Sequence, residues 1–393
     1  MAASTAQRWH IPTGSVIATA MQLAAQRDHL RALSEQGRLR TLIRRGGADF
    51  SSNDYLGLSV SPRLREAAAA ALERGVALGS GGSRLLRGND SEHEALEHAA
   101  AALFRTDAAL FFGSGYAANV ALLSALPQVD DLVVYDALVH ASMHDGMRLG
   151  RARTMAAAHG DAQAVDDAIA GWRAGGGSGT AWIAVESLYS MDGDRAPLDD
   201  LIAVAARHDA MLLIDEAHAT GVFGDGGRGL AAHLAGSPNV VLLKTFGKAL
   251  GCEGALVCGP AIVRDFLVAR ARPFIFSTAP SPLMAAVARE SLTLLADEPE
   301  RRERLHALVA VARDRLVPLG ARDTGTQIMP LILGDDRAAM RVAAAVQAAG
   351  FDVRGIRPPT VPAGTARLRI ALTLHVGEDD IAGLADVLTK ALA

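Results

Sequence analysis

Between residues 106 and 259, short apolar runs alternate with stretches of helical periodicity. The runs are AALFF (108–112), LVVYD (132–136), WIAVES (182–187), MLLIDE (211–216), VVLLKTF (240–246) and ALVCG (255–259). Such runs are typical of strands that are buried on both faces, and the helical stretches between them favour parallel pairing. The pattern predicts an α/β domain whose mainly parallel central sheet is covered on both sides.

The two ends of the chain have different patterns. After about residue 285 come a long Ala- and Arg-rich helix, the run IMPLIL (328–333), another helix and a closing strand RLRIAL (367–372), which we interpret as a smaller α+β domain. Residues 16–40, with Ile17, Met21 and Leu30, have the periodicity of a charged amphipathic helix. The predicted organisation is an N-terminal helical arm (1–47), a large domain (48–285) and a small C-terminal domain (286–393).

Charge and cysteine content narrow the class of protein. The 39 Lys and Arg and 43 Asp and Glu are intermixed and sum to a net charge of -4, which disfavours binding to nucleic acid or to anionic membranes. Cys252 and Cys258 are the only cysteines, which fits a reducing compartment. The start of the chain lacks a signal-peptide pattern, and no run of about 18 apolar residues occurs. We expect a cytoplasmic enzyme of small-molecule metabolism.

An acid and an amine follow two of the predicted strands. Asp215 lies at the end of MLLIDE, and Lys248 lies just beyond VVLLKTF. Ligands of open α/β sheets bind beyond the carboxyl ends of the strands, so both side chains should face one crevice. A partly desolvated lysine can form a Schiff base with a carbonyl cofactor, and an acid can keep a pyridine nitrogen protonated. Either residue alone is equally compatible with a capping or solvated loop residue, but together they indicate this chemistry.

The stretch ALFFGSGYAAN has the pattern of a strand, a glycine turn and a helix start. Backbone N–H groups around Ser114, Gly115 and Tyr116 would bind a phosphate at the helix N-terminus. The same residues match the dinucleotide pattern G-x-G-x-x-A, and Asp136 follows about 20 residues on, where a ribose-binding acid would lie. A nicotinamide-dependent dehydrogenase is therefore the alternative from another class, although it leaves the acid–lysine pair unexplained.

Three further patterns contain residue types that occur in metal or nucleophile sites. His140 follows a strand and could cover a planar cofactor ring or be an ordinary loop histidine, and with His144 it has the spacing H-x-x-x-H without a third ligand. HEALEH (93–98) has Glu97 where H-E-x-x-H needs histidine, and a helix surface suffices to explain it. Cys252 has no histidine placed beside it and is interpreted as a packed small residue. We predict no metal site.

From about residue 48 to the end, the chain resembles the α-oxoamine synthases. The motifs that carry the resemblance occur in the family's order: SSNDYLGL, GSGGSR, GYAAN, HAS, SMDGD, DEAH, TFGKA, FSTAP and TVPAGTARLRI. The resemblance implies the aspartate-aminotransferase-like fold (fold type I) and pyridoxal 5'-phosphate as the cofactor. GSGGSR and RPPTVPAGTARLRI most resemble the biotin-pathway members. Departures are Ala219 in place of the usual glycine, LLRGND after GSGGSR, and TLHV near the late histidine.

The resemblance also implies a role for individual residues. Lys248 would carry the cofactor as a Schiff base, Asp215 would hold the pyridine nitrogen, and His140 would stack on the ring beside the substrate. Further cofactor contacts would come from Ser114, Gly115, Tyr116, Ser190, His218, Thr245, Ser277 and Thr278, the last two reaching the phosphate of a neighbouring subunit. The substrate contacts would be Arg369 and Asn53 at the amino-acid carboxylate, and Arg31 and Thr360 at the acyl chain.

The implied reaction is the decarboxylative condensation of L-alanine with a pimeloyl thioester. The acyl donor would be pimeloyl-CoA or pimeloyl-acyl carrier protein, and the enzyme would be a homodimer with shared active sites. The alternative within the family is the condensation of glycine with a short acyl-CoA, such as acetyl-CoA or succinyl-CoA.

Overall fold

The computed structural model describes residues 23–393. Its strands are β1 (Ala48–Asp49), β2 (Ala108–Phe112), β3 (Leu132–Asp136), β4 (Arg153–Ala157), β5 (Ala181–Glu186), β6 (Met211–Asp215), β7 (Val240–Thr245), β8 (Ala255–Gly259), β9 (Ile328–Gly334), β10 (Phe351–Asp352), β11 (Arg354–Ile356) and β12 (Ala366–Ala371). Its α-helices are α1 (Ala24–Glu35), α2 (Pro62–Glu73), α3 (Ser91–Phe104), α4 (Gly115–Ala125), α5 (Ala141–Leu149), α6 (Ala162–Ala174), α7 (Leu198–His208), α8 (Ala261–Arg270), α9 (Arg272–Ile275), α10 (Pro282–Asp297), α11 (Glu300–Leu316), α12 (Asp336–Ala348) and α13 (Glu378–Leu392).

A seven-stranded sheet with the order β2-β8-β7-β6-β5-β3-β4 forms the centre of the molecule. Every neighbouring pair is parallel except the two that involve β8, which runs antiparallel to both β2 and β7. The predicted mainly parallel sheet is confirmed. The reversal of β8 follows from its connection to β7, which is a short loop without a helix and therefore returns the chain in the opposite direction.

Strand β4 is the one strand of this sheet that the apolar runs did not indicate. It lies at the sheet edge beside β3, and four of its five residues are exposed or half-buried. Its sequence RTMAA is accordingly polar and small rather than continuously apolar. An edge strand loses the double-sided burial that makes the inner strands recognisable.

The inner strands are buried on both faces. Leu212 and Ile214 of β6 belong to one apolar core, and Leu213 between them belongs to a second core on the opposite side of the sheet. Helices cover both cores, so polar side chains concentrate where the strands end. The carboxyl ends of β5, β6 and β7 thereby form one polar edge.

The C-terminal part contains the antiparallel sheet β11-β12-β9, and β1 pairs in parallel with β10. The predicted long helix after residue 285 is two helices, α10 and α11, which separate at Pro299 because proline has no N–H to continue the helix. The domain bounds stay a prediction, and the pairing of β1 with β10 joins residues near 48 to the C-terminal part.

The amphipathic helix predicted over 16–40 is shorter where the structure describes it. Helix α1 spans Ala24–Glu35, buries none of its residues and includes Leu30, whereas Ile17 and Met21 lie outside the described residues. Within residues 23–393, no helix combines the length and apolar character needed to cross a membrane.

Candidate active site

Two carboxyl groups and an amine meet at the polar edge of the central sheet. Glu186 and Asp215 are buried partners in the register of β5 and β6, and Lys248 follows β7. Desolvation lowers the pKa of Lys248 to about 8, and the charge of Asp215 opposes that shift. The predicted acid and lysine therefore share one crevice. The amine of Lys248 loses its proton much closer to neutral pH than an ordinary lysine amine does.

The carboxylate of Asp215 is fixed by two hydrogen bonds. Asn119 Nδ2 on α4 donates to Asp215 Oδ2 at 2.7 Å, and the backbone N–H of Ala217 donates to Oδ1 at 2.8 Å. Asn119 Nδ2 also donates to Ser142 Oγ at 3.0 Å. Asn119 is the last residue of the motif GYAAN, but the sequence does not identify it as a site residue. The reason is that a buried asparagine in a helix has no recognisable spacing of its own.

Glu186 is a second buried carboxyl group that sequence reasoning missed. Its Oε1 atom has no hydrogen-bond partner among residues 23–393. Desolvation and the neighbouring charge of Asp215 raise the pKa of Glu186 to about 8, and Lys248 opposes the shift. The site thus contains a carboxyl group that is protonated at neutral pH beside one that is held as an acceptor.

The start of α4 has the geometry of a phosphate site. Ser114 is the N-cap residue, and its Oγ accepts a hydrogen bond from the N–H of Ala117 at 3.1 Å. A Cβ built on Gly115 would lie 3.9 Å from Thr245 Oγ1, so the helix start and the Thr245 hydroxyl are adjacent. Unpaired N–H groups at a helix N-terminus attract anions. The structure therefore brings together three of the predicted phosphate contacts.

Tyr116 contributes its backbone to this helix start but directs its side chain elsewhere. Its hydroxyl donates to Asp145, and about half of the residue is exposed. Any contact of Tyr116 with a phosphate at this site would thus be through its backbone N–H.

His140 is the N-cap residue of α5, and its side chain caps that helix. The N–H of Ser142 donates to His140 Nδ1 at 3.2 Å, and Ser142 Oγ lies 2.8 Å from the same atom. Since Nδ1 accepts a hydrogen bond, the neutral ring carries its proton on Nε2. Desolvation lowers the pKa of His140 despite the opposing charge of Asp215, so this donor form is neutral at physiological pH.

Arg369 on β12 lies in a buried polar cluster. Its Nη2 atom donates to Asn53 Oδ1 at 2.9 Å and to Tyr55 Oη at 3.3 Å, and its Nε atom donates to the carbonyl oxygen of Ser190 at 2.6 Å. The predicted pair of Arg369 and Asn53 is therefore in contact, with Ser190 beside it. A planar guanidinium held in this way can bind a carboxylate through two parallel hydrogen bonds.

His218 is buried next to this cluster. Its Nδ1 atom lies 2.7 Å from Tyr55 Oη, and its carbonyl oxygen accepts from Gln327 Nε2 at 2.8 Å. Desolvation lowers the pKa of His218 well below its usual value, and the positive charges of Lys248 and Arg369 add to this shift. The ring is consequently neutral.

Four predicted site residues do not join the crevice of the single chain. Arg31 is exposed on α1 and pairs with Asp28 at 3.5 Å, and Thr360 is exposed and accepts from Arg40 Nη2 at 2.9 Å. Ser277 and Thr278 are exposed on the loop between α9 and α10. Their assigned roles stay predictions.

The explanation of HEALEH as a helix surface is wrong. His93 is fully buried, and its Nε2 atom lies 2.8 Å from the carbonyl oxygen of Pro280. Glu97 accepts two hydrogen bonds from Arg84, at 2.9 and 3.0 Å. The reason is that α3 packs against α10 and β2, so both polar side chains face other parts of the protein.

The structure also describes the surroundings of the possible metal ligands and of the Cys252 thiol. Residues 23–393 contain no cluster of three or more side chains arranged to hold a metal ion. Burial raises the pKa of the Cys252 thiol to about 12, so a reactive thiolate does not form near neutral pH. This agrees with the interpretation of Cys252 as a packed residue.

The sheet order excludes the dinucleotide interpretation of the glycine turn. A dinucleotide unit needs two adjacent parallel strands, whereas four strands separate β2 from β3. Asp136, the proposed ribose-binding acid, instead accepts from the N–H groups of Leu138 and Gly160, both at 2.8 Å, and contacts His159 Nδ1 at 2.8 Å. The pattern matched because a phosphate-binding glycine turn is common to both kinds of site.

Comparison with known proteins identifies the relatives of this chain. The family model "Aminotransferase class I and II" matches residues 46–388. A protein named 8-amino-7-oxononanoate synthase from Mycobacterium sp. (strain JLS) is 44% identical over 93% of this chain and 95% of its own length. One of the same name from Chromobacterium violaceum is 41% identical over 91% of this chain and 92% of its own length.

Two solved structures have the same fold. A serine palmitoyltransferase from S. paucimobilis with bound PLP-myriocin has a TM-score of 0.85 and 27% identity, covering 95% of this chain and 98% of that one. An 8-amino-7-oxononanoate synthase from Francisella tularensis has a TM-score of 0.75 and 26% identity, covering 88% and 98%. The fold type I prediction and the resemblance to the α-oxoamine synthases are confirmed, and the chain belongs to the class I and II aminotransferase family.

Proposed function

We propose that this protein is an 8-amino-7-oxononanoate synthase, a PLP-dependent acyltransferase of biotin biosynthesis. It condenses L-alanine with a pimeloyl thioester and releases carbon dioxide and either coenzyme A or the carrier protein. The observation that carries the proposal is the convergence of Lys248, Asp215 and the Arg369–Asn53 pair at one polar edge. The names of relatives that are 41% and 44% identical over about nine tenths of the chain support it.

The residues of the crevice fit PLP. Lys248 offers an amine whose pKa of about 8 makes it reactive toward an aldehyde, and Asp215 offers an immobilised carboxylate for the pyridine nitrogen. Gly115 and Thr245 line a place for the phosphate at the start of α4. PLP, when bound, supplies a conjugated ring that accepts the electron pair left at the substrate Cα.

The side chains then bind the amino acid and move its proton. Arg369 and Asn53 bind the alanine carboxylate, which orients the Cα–H bond toward the lysine side of the crevice. Lys248 Nζ, with its lowered pKa, takes the Cα proton as a general base and later returns one. Glu186 keeps the crevice free of a second negative charge because it is protonated at neutral pH.

The condensation forms one carbon–carbon bond and breaks the carbon–sulfur bond of the thioester and the bond from Cα to the carboxylate. The alanine Cα attacks the acyl carbon, the carbon–sulfur bond breaks, and the thiolate leaves and is protonated. The Nε2–H group of His140 is a donor suited to the oxyanion that develops on the acyl carbonyl. The bond from Cα to the carboxylate then breaks, which releases carbon dioxide, and Cα is protonated.

The protein further acts as a cytoplasmic homodimer with shared active sites. Ser277 and Thr278 are exposed in the single chain, as residues that reach a neighbouring subunit would be. The adjoining Pro280 packs near the glycine turn, since a Cβ built on Gly113 would lie 3.9 Å from Pro280 Cγ. The segment that contains Ser277 and Thr278 therefore ends beside the glycine turn of its own chain.

The test is product mass after incubation with defined substrate pairs. L-Alanine with pimeloyl-CoA should give 8-amino-7-oxononanoate and one equivalent each of carbon dioxide and free thiol. Glycine with acetyl-CoA or succinyl-CoA, and L-serine with palmitoyl-CoA, are the competing pairs. Lys248→Ala should abolish turnover and Lys390→Ala, on the exposed face of α13, should not. Product from a competing pair with none from the alanine pair would overturn the proposal.

A further inference from the structure

A continuous chain of hydrogen bonds links Arg369 to His218 through two side chains of the N-terminal segment. Arg369 Nη2 lies 2.9 Å from Asn53 Oδ1 and 3.3 Å from Tyr55 Oη. Tyr55 Oη lies 3.0 Å from Asn53 Oδ1 and 2.7 Å from His218 Nδ1. Tyr55 is fully buried, so its one hydroxyl proton must be used among these neighbours.

The donors and acceptors of this chain can be assigned by counting protons. A guanidinium only donates, so the asparagine atom that Arg369 contacts must be the amide oxygen. That oxygen only accepts, so the Tyr55 hydroxyl donates its single proton to Asn53. The 2.7 Å contact between Tyr55 Oη and His218 Nδ1 then needs a proton from the histidine. Under this assignment, the neutral ring of His218 carries its proton on Nδ1 and leaves Nε2 as a bare acceptor.

We propose that Tyr55 is a positioning residue that holds His218 in the Nδ1–H tautomer, so that Nε2 serves the active site as a hydrogen-bond acceptor. The ligand group it fits is a neutral or cationic donor, such as a hydroxyl or ammonium group. Among residues 23–393, the hydrogen bond of the His218 ring is made by Nδ1, and Nε2 makes none. His140 is the opposite case, because its capped Nδ1 makes Nε2 the donor.

The charges around His218 keep this assignment intact over the physiological pH range. Desolvation and the positive charges of Lys248 and Arg369 lower the pKa of the buried ring, so it does not take up a second proton. Burial raises the pKa of Tyr55 despite the opposing charge of Arg369, so its hydroxyl keeps its proton. The tautomer is consequently set by hydrogen bonding and not by titration.

The test is a nitrogen-15 NMR measurement of the histidine rings in the full-length protein, with and without PLP. The one-bond proton–nitrogen coupling pattern distinguishes protonated Nδ1 from protonated Nε2, and His218→Gln identifies the resonance. We expect protonated Nδ1 in the wild type. Tyr55→Phe should move the proton to Nε2 because it removes the acceptor. Asn53→Ala should do the same, because the Tyr55 proton is then free to bind Nδ1.

The matched control is Tyr135→Phe, which removes a hydroxyl that contacts neither His218 nor Arg369 and should leave the tautomer unchanged. A wild type with protonated Nε2, or variants at Tyr55 and Asn53 that both keep Nδ1 protonated, would overturn the inference. If Tyr55→Phe does not fold, Asn53→Ala decides alone.

An activity measurement extends the test and rests on the proposed function. With L-alanine and pimeloyl-CoA, Tyr55→Phe should lower kcat about tenfold, the size expected for one lost hydrogen bond. A wild-type kcat in a Tyr55→Phe protein whose tautomer has changed would mean that the Nε2 acceptor is not used. Failure of the proposed function itself would leave the wild type inactive with this pair while the tautomer result stood.

Discussion

The hydrogen bond from Asn119 to Asp215 gives a prediction whose size follows from its geometry. Asn119→Ala removes a 2.7 Å hydrogen bond to a buried carboxylate and leaves only the N–H of Ala217 on that group. A hydrogen bond to a charged group contributes roughly 1.5–3 kcal/mol. If Asp215 must be fixed to stabilise a cationic pyridine nitrogen throughout the reaction, the whole of this energy is lost in the transition state.

At about 1.4 kcal/mol for each factor of ten, Asn119→Ala should lower kcat/KM for L-alanine by roughly 10- to 150-fold. The assay is steady-state release of free thiol from pimeloyl-CoA with PLP in excess. Asn239→Ala is the matched control, since Asn239 Nδ2 donates to the carbonyl oxygen of Ala210 beside the amino-terminal end of β7. An Asn119→Ala enzyme within twofold of wild type would refute the role assigned to this hydrogen bond.

Three further predictions concern the lysines and one histidine. Lys244→Met should lower the free energy of unfolding by about 3–5 kcal/mol in urea titrations, because it leaves the buried charge of Glu216 without a partner. Lys390→Met, at an exposed position, should change this free energy by less than about 0.5 kcal/mol, and equal effects of the two substitutions would contradict the prediction. The rate at which cofactor-free protein binds PLP covalently should rise with pH around a midpoint near 8, because only the neutral amine of Lys248 reacts. A midpoint near 10 in stopped-flow measurements would contradict the lowered pKa of Lys248. Hydrogen bonds with Asp136 and Asp194 raise the pKa of His159 to about 10, so the stability that the protonated ring adds is fully present below about pH 6.5 and is lost as pH rises through about 10. His159→Gln should therefore lower Tm at pH 6 but not above pH 10. A difference in Tm that does not depend on pH would contradict this prediction.

The inner strands and the acid–lysine pair could be predicted because they depend on local patterns. Double-sided burial makes β5, β6 and β7 continuously apolar, and a strand end locates Asp215 and Lys248 at one edge. The order of the strands has no such local signal. The sequence patterns therefore also allow the dinucleotide alternative, which the position of β3 relative to β2 excludes.

The supporting residues of the site could not be predicted from spacing. Tyr55 and Asn119 act through contacts with residues 163 and 96 positions away in the chain. Glu186 is one of several carboxyl groups at strand ends, and only its burial beside Asp215 distinguishes it. The burial of His93 and the contacts of Glu97 could not be predicted because α3 is rich in alanine. A helix with few large apolar residues does not show from its sequence which faces pack against the rest of the protein.

The pairing of β1 with β10 has a consequence for the order in which the enzyme is made. Asn53 and Arg369 are 316 residues apart, and Phe50 and Tyr55 are tied through their carbonyl oxygens to the N–H groups of Ala371 and Leu374. When only the central sheet has been translated, the segment bearing Lys248 is complete, but Phe50 and Tyr55 still lack their C-terminal hydrogen-bond partners. Under the proposed role of Arg369 and Asn53, the site for the amino-acid carboxylate is complete only after the C-terminal part of the chain has been made.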